Sequence, residues 1–179
     1  MLHPFNWLDP ELFKPALAGL GVYSVLFGLL VIWQARKLIV PLAPHGIVSL
    51  QLAKDARRVD EILQVWGDEG RRIARGNVRL DFLFLAGYPL FLSLACVFGI
   101  RGGALDALFL TLSWAVLLAG PLDLLENFLT LRMLSGGPSD RSALLTSACA
   151  AVKFGLVLLT IGVLGVYVLR YILRMFAIL

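Results

Sequence analysis

Of the 179 residues, 59% are hydrophobic and 16% charged, with a formal net charge of +4. A mean hydropathy of +0.85 excludes a water-soluble domain with an ordinary polar surface. The apolar residues gather in stretches of about 17 to 25, the length that spans a bilayer core as helix, and runs such as Phe154 to Leu169 lack the alternation of a membrane β-barrel. The expected class is all-α: a single integral membrane domain over residues 1–179, built as a four-helix bundle.

Residues 1–14 combine Pro4, Trp7, Asp9, Pro10 and Lys14, turn formers and an interfacial aromatic that suit a lead-in at a membrane surface. No cleavable signal peptide is expected, because the first apolar run starts near Pro15, after Asp9 and Glu11, without a basic leader. The first span is predicted over about 15–33, closed by Arg36 and Lys37 and then by Pro41, Pro44 and Gly46. Over 47–66 the apolar residues Val48, Leu52, Ala56, Val59, Leu63 and Trp66 recur at spacings of three and four, opposite Lys54, Arg57, Asp60, Glu61 and Gln64. This pattern predicts an amphipathic cytoplasmic helix between helices 1 and 2, lying in the headgroup layer or covering the ends of the bundle, and ended by Gly67 and Gly70. The second span is predicted over about 80–99, the third over 104–131 after a tight turn at Arg101, Gly102 and Gly103, and the fourth over 142–169 after the turn at residues 135–139.

Lysines and arginines are distributed unevenly between the two sides. Arg36, Lys37, Lys54, Arg57, Arg58, Arg71, Arg72, Arg75, Arg79, Arg132 and Arg141 fall on one side, eleven in all, and Lys14, Arg101, Arg170 and Arg174 on the other. The positive-inside rule then makes the first side cytoplasmic and puts both termini outside. Arg57, Arg58, Arg71, Arg72, Arg75 and Arg79 are the expected interfacial basic residues, close to lipid phosphates. The same asymmetry accounts for the net charge without nucleic acid.

Ionisable residues inside spans are costly and mark candidate sites. Helix 3 carries Ser113, Gly120, Asp123, Glu126, Asn127 and Thr130 within one arc, and helix 4 carries Thr146, Lys153, Thr160, Tyr167 and Arg174 at seven-residue intervals. On helix 2, Asp81 and Tyr88 share that spacing. Counting inward from Arg132 and Arg141 places Asp123 about 14 Å and Lys153 about 18 Å deep, so the two are expected to pair, with Glu126 as the alternative partner. Counted from Arg79, Asp81 lies only about 3 Å deep, so the cluster is expected to open toward the cytoplasmic interface. Three carboxylates facing one ammonium imply a protonated carboxyl, arginines 79 and 132 reaching inward, or a bound cation or proton. The cluster Asp81, Tyr88, Asp123, Glu126, Asn127 and Lys153 therefore supports three readings: a polar lock between helices, a ligand pocket, or a proton or ion path.

Cys96 and Cys149 form no CxxC pair and are expected at different depths, both free. No His/Cys metal cluster, P-loop, dinucleotide fingerprint, HExxH or Ser-His-Asp pattern occurs, so no cofactor and no metal are expected. Ala148, Gly155 and Gly162 form a small-residue stripe on helix 4, suited to close packing against helix 1, a membrane-protein partner or another copy of the chain.

The segments LQLAKDARRVDEILQVWGDEGRRIARGNVRLDFLFLAGY, LDLLEN and AAVKFGLVLL, within residues 50–160, resemble a group of small bacterial four-helix membrane proteins without an assigned activity. The resemblance lies in the positions of Trp66, Asp81, Tyr88, Asp123, Glu126, Asn127 and Lys153. It implies a bacterial inner-membrane origin and no particular reaction. With only an acid–base pair available for chemistry, the leading expectation is a non-catalytic accessory subunit or lipid-associated scaffold. A binding protein or enzyme for a lipid, isoprenoid or amphiphilic amine is the alternative, and a proton or small-cation carrier is third.

Overall fold

The computed structural model describes residues 2–176, and they are almost entirely helical. Seven α-helices follow one another: α1 (Phe13–Ala35), α2 (Ile47–Gln51), α3 (Ala56–Leu85), α4 (Tyr88–Phe98), α5 (Asp106–Ala115), α6 (Ala119–Gly136) and α7 (Asp140–Phe176). Joined across short breaks they form four segments long and apolar enough to cross a membrane, Pro10–Leu38, Ala56–Phe98, Asp106–Gly136 and Asp140–Phe176. The α3–α4 segment is central. It packs against α1 on one side and α5–α6 on the other, while α7 lies chiefly on α6.

α1 is apolar all round and buries only Ser24 completely. Val22, Val25, Leu29, Ile32 and Trp33 all point outward, which suits a lipid solvent and not water. Two polar contacts tie it to the central segment: Asn77 Nδ2 donates to the Val31 carbonyl at 2.9 Å, and the Tyr23 hydroxyl donates to the Leu83 carbonyl at 2.6 Å. The second contact falls where α3 and α4 part. Pro89 has no N–H to continue the ladder, and the chain turns at Ala86 and Gly87, whose amides bond back to Leu83 and Phe84. Gly87 is required here because a Cβ would overlap the Tyr23 ring.

The basic end of the molecule is closed by residues 38–66. Leu38, Ala43, Ile47, Leu50, Val59, Ile62, Leu63 and Trp66 form one buried cluster with Ala74 and Val78 of α3, Met133 and Leu134 of α6, and Ala143 of α7. The apolar stripe thus covers the helix ends, the second of the two placements expected for it. A continuous helix over 47–66 is corrected, however. α2 stops at Gln51, Lys54 takes a positive φ of 59°, and α3 starts afresh behind Asp55, whose Oδ1 accepts from the Arg58 amide at 2.8 Å. The turn is held to α7 through the Ser147 hydroxyl, which accepts from Lys54 N and donates to Gln51 O, and through Asp140 Oδ1, which accepts from Ala56 N at 2.8 Å.

Gly67 and Gly70 do not end the helix either. α3 bends at Gly67 (φ 58°, ψ −164°), a backbone region open essentially to glycine alone, and resumes to Leu85. The helix expected from residue 80 therefore begins well before it. The third segment, expected as one helix over 104–131, is α5 and α6 joined by a 3-10 turn at Val116–Leu118 and extends to Gly136. α7 starts behind a reciprocal Ser139–Ser142 cap and continues past residue 169 to Phe176.

Candidate functional site

The site is assembled from three helical faces. α6 turns Asp123, Glu126, Asn127 and Thr130 inward, at spacings of three, four and seven that stack on one side of a helix, and all four are buried. α7 turns Thr146, Lys153 and Thr160 the same way, with the two threonine hydroxyls satisfied by carbonyls four residues back. The central segment contributes Asn77, Asp81, Phe84 and Tyr88, again at spacings of four, three and four.

Lys153 Nζ lies 2.8 Å from Asp123 Oδ1 and 2.9 and 3.0 Å from the two Glu126 oxygens. One ammonium is thus shared by both carboxylates, where the sequence reading had set them as alternatives. Asp123 Oδ2 accepts from the Tyr88 hydroxyl at 2.9 Å. Asp81 has no ammonium partner: its Oδ2 accepts from Asn127 Nδ2 at 2.7 Å. The carbonyl oxygen of that same Asn127, fully buried, has no donor among the described residues. Arg79 and Arg132 are both exposed and form no ion pair among the described residues, so of the counter-charges expected from the sequence neither reaches inward.

Asp81 lies beside Asn127, to which it is hydrogen-bonded, and shares a cavity wall with Asp123 and Lys153.

A cavity of about 180 Å³ adjoins this cluster, with Asp81, Tyr88, Asp123, Asn127 and Lys153 on its wall. Asn77 and Gln51 add polar groups at the basic end, and Phe84 and Phe154 add aromatic surface. Val31, Val48, Phe154 and Val157, on α1, α2 and α7, are half-buried lining residues, as are Asp81 and Phe84. Phe84 stacks on Tyr88 at 4.7 Å, and Lys153 Nζ lies 4.7 Å from the Phe154 ring centre. The walls are thus largely apolar and aromatic around a few convergent carboxylates, a composition typical of small-molecule sites. Among the described residues no three His, Cys, Asp or Glu side chains are placed to hold a metal ion.

Asn77, Gln51, Phe84 and Phe154 were not singled out from the sequence. For Asn77 the signal was there: it stands four residues before Asp81 on the face that also carries Phe84 and Tyr88. The basic residues divide by role. Arg58, Arg71 and Arg75 donate to the carbonyls of Leu42, Leu63 and Leu134, fastening the cap, while Arg57, Arg72 and Arg79 are exposed. Trp66 belongs to the cap as well, its indole donating to Leu38 O at 3.0 Å. Ala148, Gly155 and Gly162 lie on the outer surface of α7, and a Cβ at either glycine would meet nothing, so this stripe does not pack on α1. Cys96 and Cys149 are buried and free. No protein-family model, curated protein or solved structure matches the chain.

Proposed function

We propose that the chain is a multi-pass protein of a bacterial inner membrane that binds an amphiphile with a cationic amine head, the head seated in the cavity beside Asp81. The membrane assignment is supported by the four long apolar segments and their outward apolar side chains. The basic residues gathered on the 36–79 side favour a cytoplasmic location for that end, with both termini outside.

The observation that carries the binding reading is the charge imbalance at the cavity wall. Lys153 is committed to Asp123 and Glu126, while Asp81, on the cavity wall beside the Asn127 amide and the Asp123 carboxyl, forms no ion pair of its own among the described residues. A carboxylate away from water is stabilised chiefly by a cation, and the faces of Phe84, Tyr88 and Phe154 favour an organic ammonium over a bare metal ion. A cavity of 180 Å³ holds a headgroup but not a whole amphiphile. The remainder would lie outside the cavity, against the apolar outer surface of the helices. The scaffold reading accounts for the Lys153–Asp123–Glu126 lock but not for a cavity beside an unmatched carboxylate.

The test is thermal unfolding of the protein purified in a mild non-ionic detergent, with decylamine compared against decanol. Decylamine should raise Tm in proportion to ln(1 + [L]/Kd) while decanol does not, and Asp81→Asn should remove the difference. Equal effects of amine and alcohol, or an undiminished amine effect in Asp81→Asn, overturn the reading. Stabilisation by sodium or potassium in place of the amine would favour the small-cation alternative.

A further inference from the structure

The end of the molecule remote from the basic cap carries few charges, and most of its cations converge. Of Lys14, Arg101, Arg170 and Arg174, the three arginines line a single cleft of about 420 Å³ between the α4–α5 turn and α7. None of them has a carboxylate within 4.0 Å among the described residues. The one acid in the cleft, Asp106, accepts from the backbone amides of Arg101 at 3.1 Å and Gly102 at 2.7 Å, so its charge is turned toward the loop it holds. Three arginines thus share the cleft with one carboxylate, which pairs with none of them and leaves the cleft net positive.

This cleft runs into a second, apolar one of about 600 Å³. The two share Gly99, Arg101, Tyr167 and Tyr171, and the second continues between Phe91 and Leu92 of α4 and Ile161 and Leu164 of α7. Arg101 stands at the junction, its guanidinium 5.3 Å from the Phe98 ring centre. The lengths agree with one leaflet of a bilayer. From Arg170 to Ile161 is nine residues of helix, about 14 Å, close to half of a hydrocarbon core of about 30 Å.

We propose that this composite cleft is a binding site for an anionic phospholipid, with Arg101, Arg170 and Arg174 holding the headgroup phosphate and one acyl chain lying in the groove between α4 and α7. Guanidinium groups suit phosphate oxygens because they donate in a planar fork. The apolar groove leads away from them to the depth that a chain of the same leaflet occupies. The site is separate from the cavity at Asp81 and does not rest on the function proposed for that cavity.

Native mass spectrometry of the detergent-purified protein tests this, with phosphatidylglycerol, phosphatidylcholine and inorganic phosphate as probes. Phosphatidylglycerol should be retained at least tenfold more tightly than phosphatidylcholine. Combined Arg101→Gln, Arg170→Gln and Arg174→Gln should abolish that preference, while Lys14→Gln leaves it intact. Gly165→Phe serves as the second variant: Gly165 lines the groove, and a Cβ there meets nothing within 4 Å, so a side chain can start from this position and occupy the groove. It should weaken phosphatidylglycerol retention with all three arginines in place. Unchanged Tm and circular dichroism establish that each variant is folded, and the arginine variants should keep the decylamine effect. Equal retention of the two lipids, no loss in Gly165→Phe, or inorganic phosphate binding as tightly as the lipid would each overturn the assignment.

Discussion

Lys153 Nζ lies within 3.0 Å of both Asp123 and Glu126, so a single ammonium on α7 gathers two carboxylates that stand three residues apart on α6. The geometry of one helical turn makes this possible, since residues at i and i+3 project side by side. It also changes what substitution should do. Removing the lysine strands two buried carboxylates, and removing one carboxylate leaves the lysine still paired.

Lys153→Met should therefore destabilise the protein by about 3 kcal/mol or more, the range for breaking a buried ion pair. Lys153→Met with Asp123→Leu should recover only part of the loss, because Glu126 stays buried without its cation, and adding Glu126→Gln should recover most of the rest. Unfolding in a graded denaturing-detergent titration reads the series. Full recovery in the double variant would show that Glu126 contributes nothing to the lock.

Tyr88→Phe removes the hydroxyl that donates to Asp123 Oδ2 and leaves the ring stacked on Phe84. The expected loss is about 1.5 to 3 kcal/mol, as for a hydrogen bond to a charged group. In a background with Asp123→Leu the same change should cost about 1 kcal/mol or less, since the charged acceptor is gone and only the Ala119 carbonyl at 3.4 Å remains. A double-variant cycle in thermal unfolding measures the difference.

Gly67→Ala should cost about 1 to 3 kcal/mol for backbone strain alone, because the site has open space around it and a φ of 58° with ψ of −164°. Gly19→Ala, on α1 with equally open surroundings and an ordinary helical φ, should be neutral or slightly stabilising. The Gly67 variant should also loosen the cap, read as faster proteolysis within residues 38–66.

Orientation is tested by cysteine labelling. Gly102 and Gly137 both have positive φ, so cysteine is better placed at the neighbouring exposed Gly103 and Gly136. A membrane-impermeant maleimide added from outside should label Gly103→Cys and miss Gly136→Cys. Native Cys96 and Cys149 are buried and should contribute little background. The opposite pattern would reverse the proposed topology.

The parts of this fold that repeat with a helical period were readable from residue types. Thr146, Lys153 and Thr160 repeat every seven residues on α7, and Asp123, Glu126, Asn127 and Thr130 share an arc of α6. A helix fixes both relationships, so the inward faces and the Lys153 contacts followed from spacing. The breaks were harder. Gly67 reads equally well as a helix end or a bend, because the freedom that lets glycine stop a helix also lets it redirect one. Taking it as an end separated residues 47–66 from the helix that in fact runs on to Leu85. The break before Pro89 and the restart behind Asp55 have local marks, the proline and the Asp55 cap, but are also held by partners distant in sequence, the Tyr23 hydroxyl, Ser147 and Asp140. The cavity was equally invisible. Its walls come from α1, α2, α3, α4, α6 and α7, and whether side chains fill a space between helices is decided by packing and not by period.

The order in which these charges are made has a consequence during synthesis. Asp81, Asp123 and Glu126 all precede Lys153, and Asp123 stands 30 residues ahead of it. At about 5 to 20 residues per second, the acidic face of α6 exists for roughly 1.5 to 6 seconds before its lysine is made. A chain that ends before α7 therefore keeps Asp123 and Glu126 with no ammonium and only the Tyr88 hydroxyl for Asp123, so the stability of the first three segments should depend on the last one.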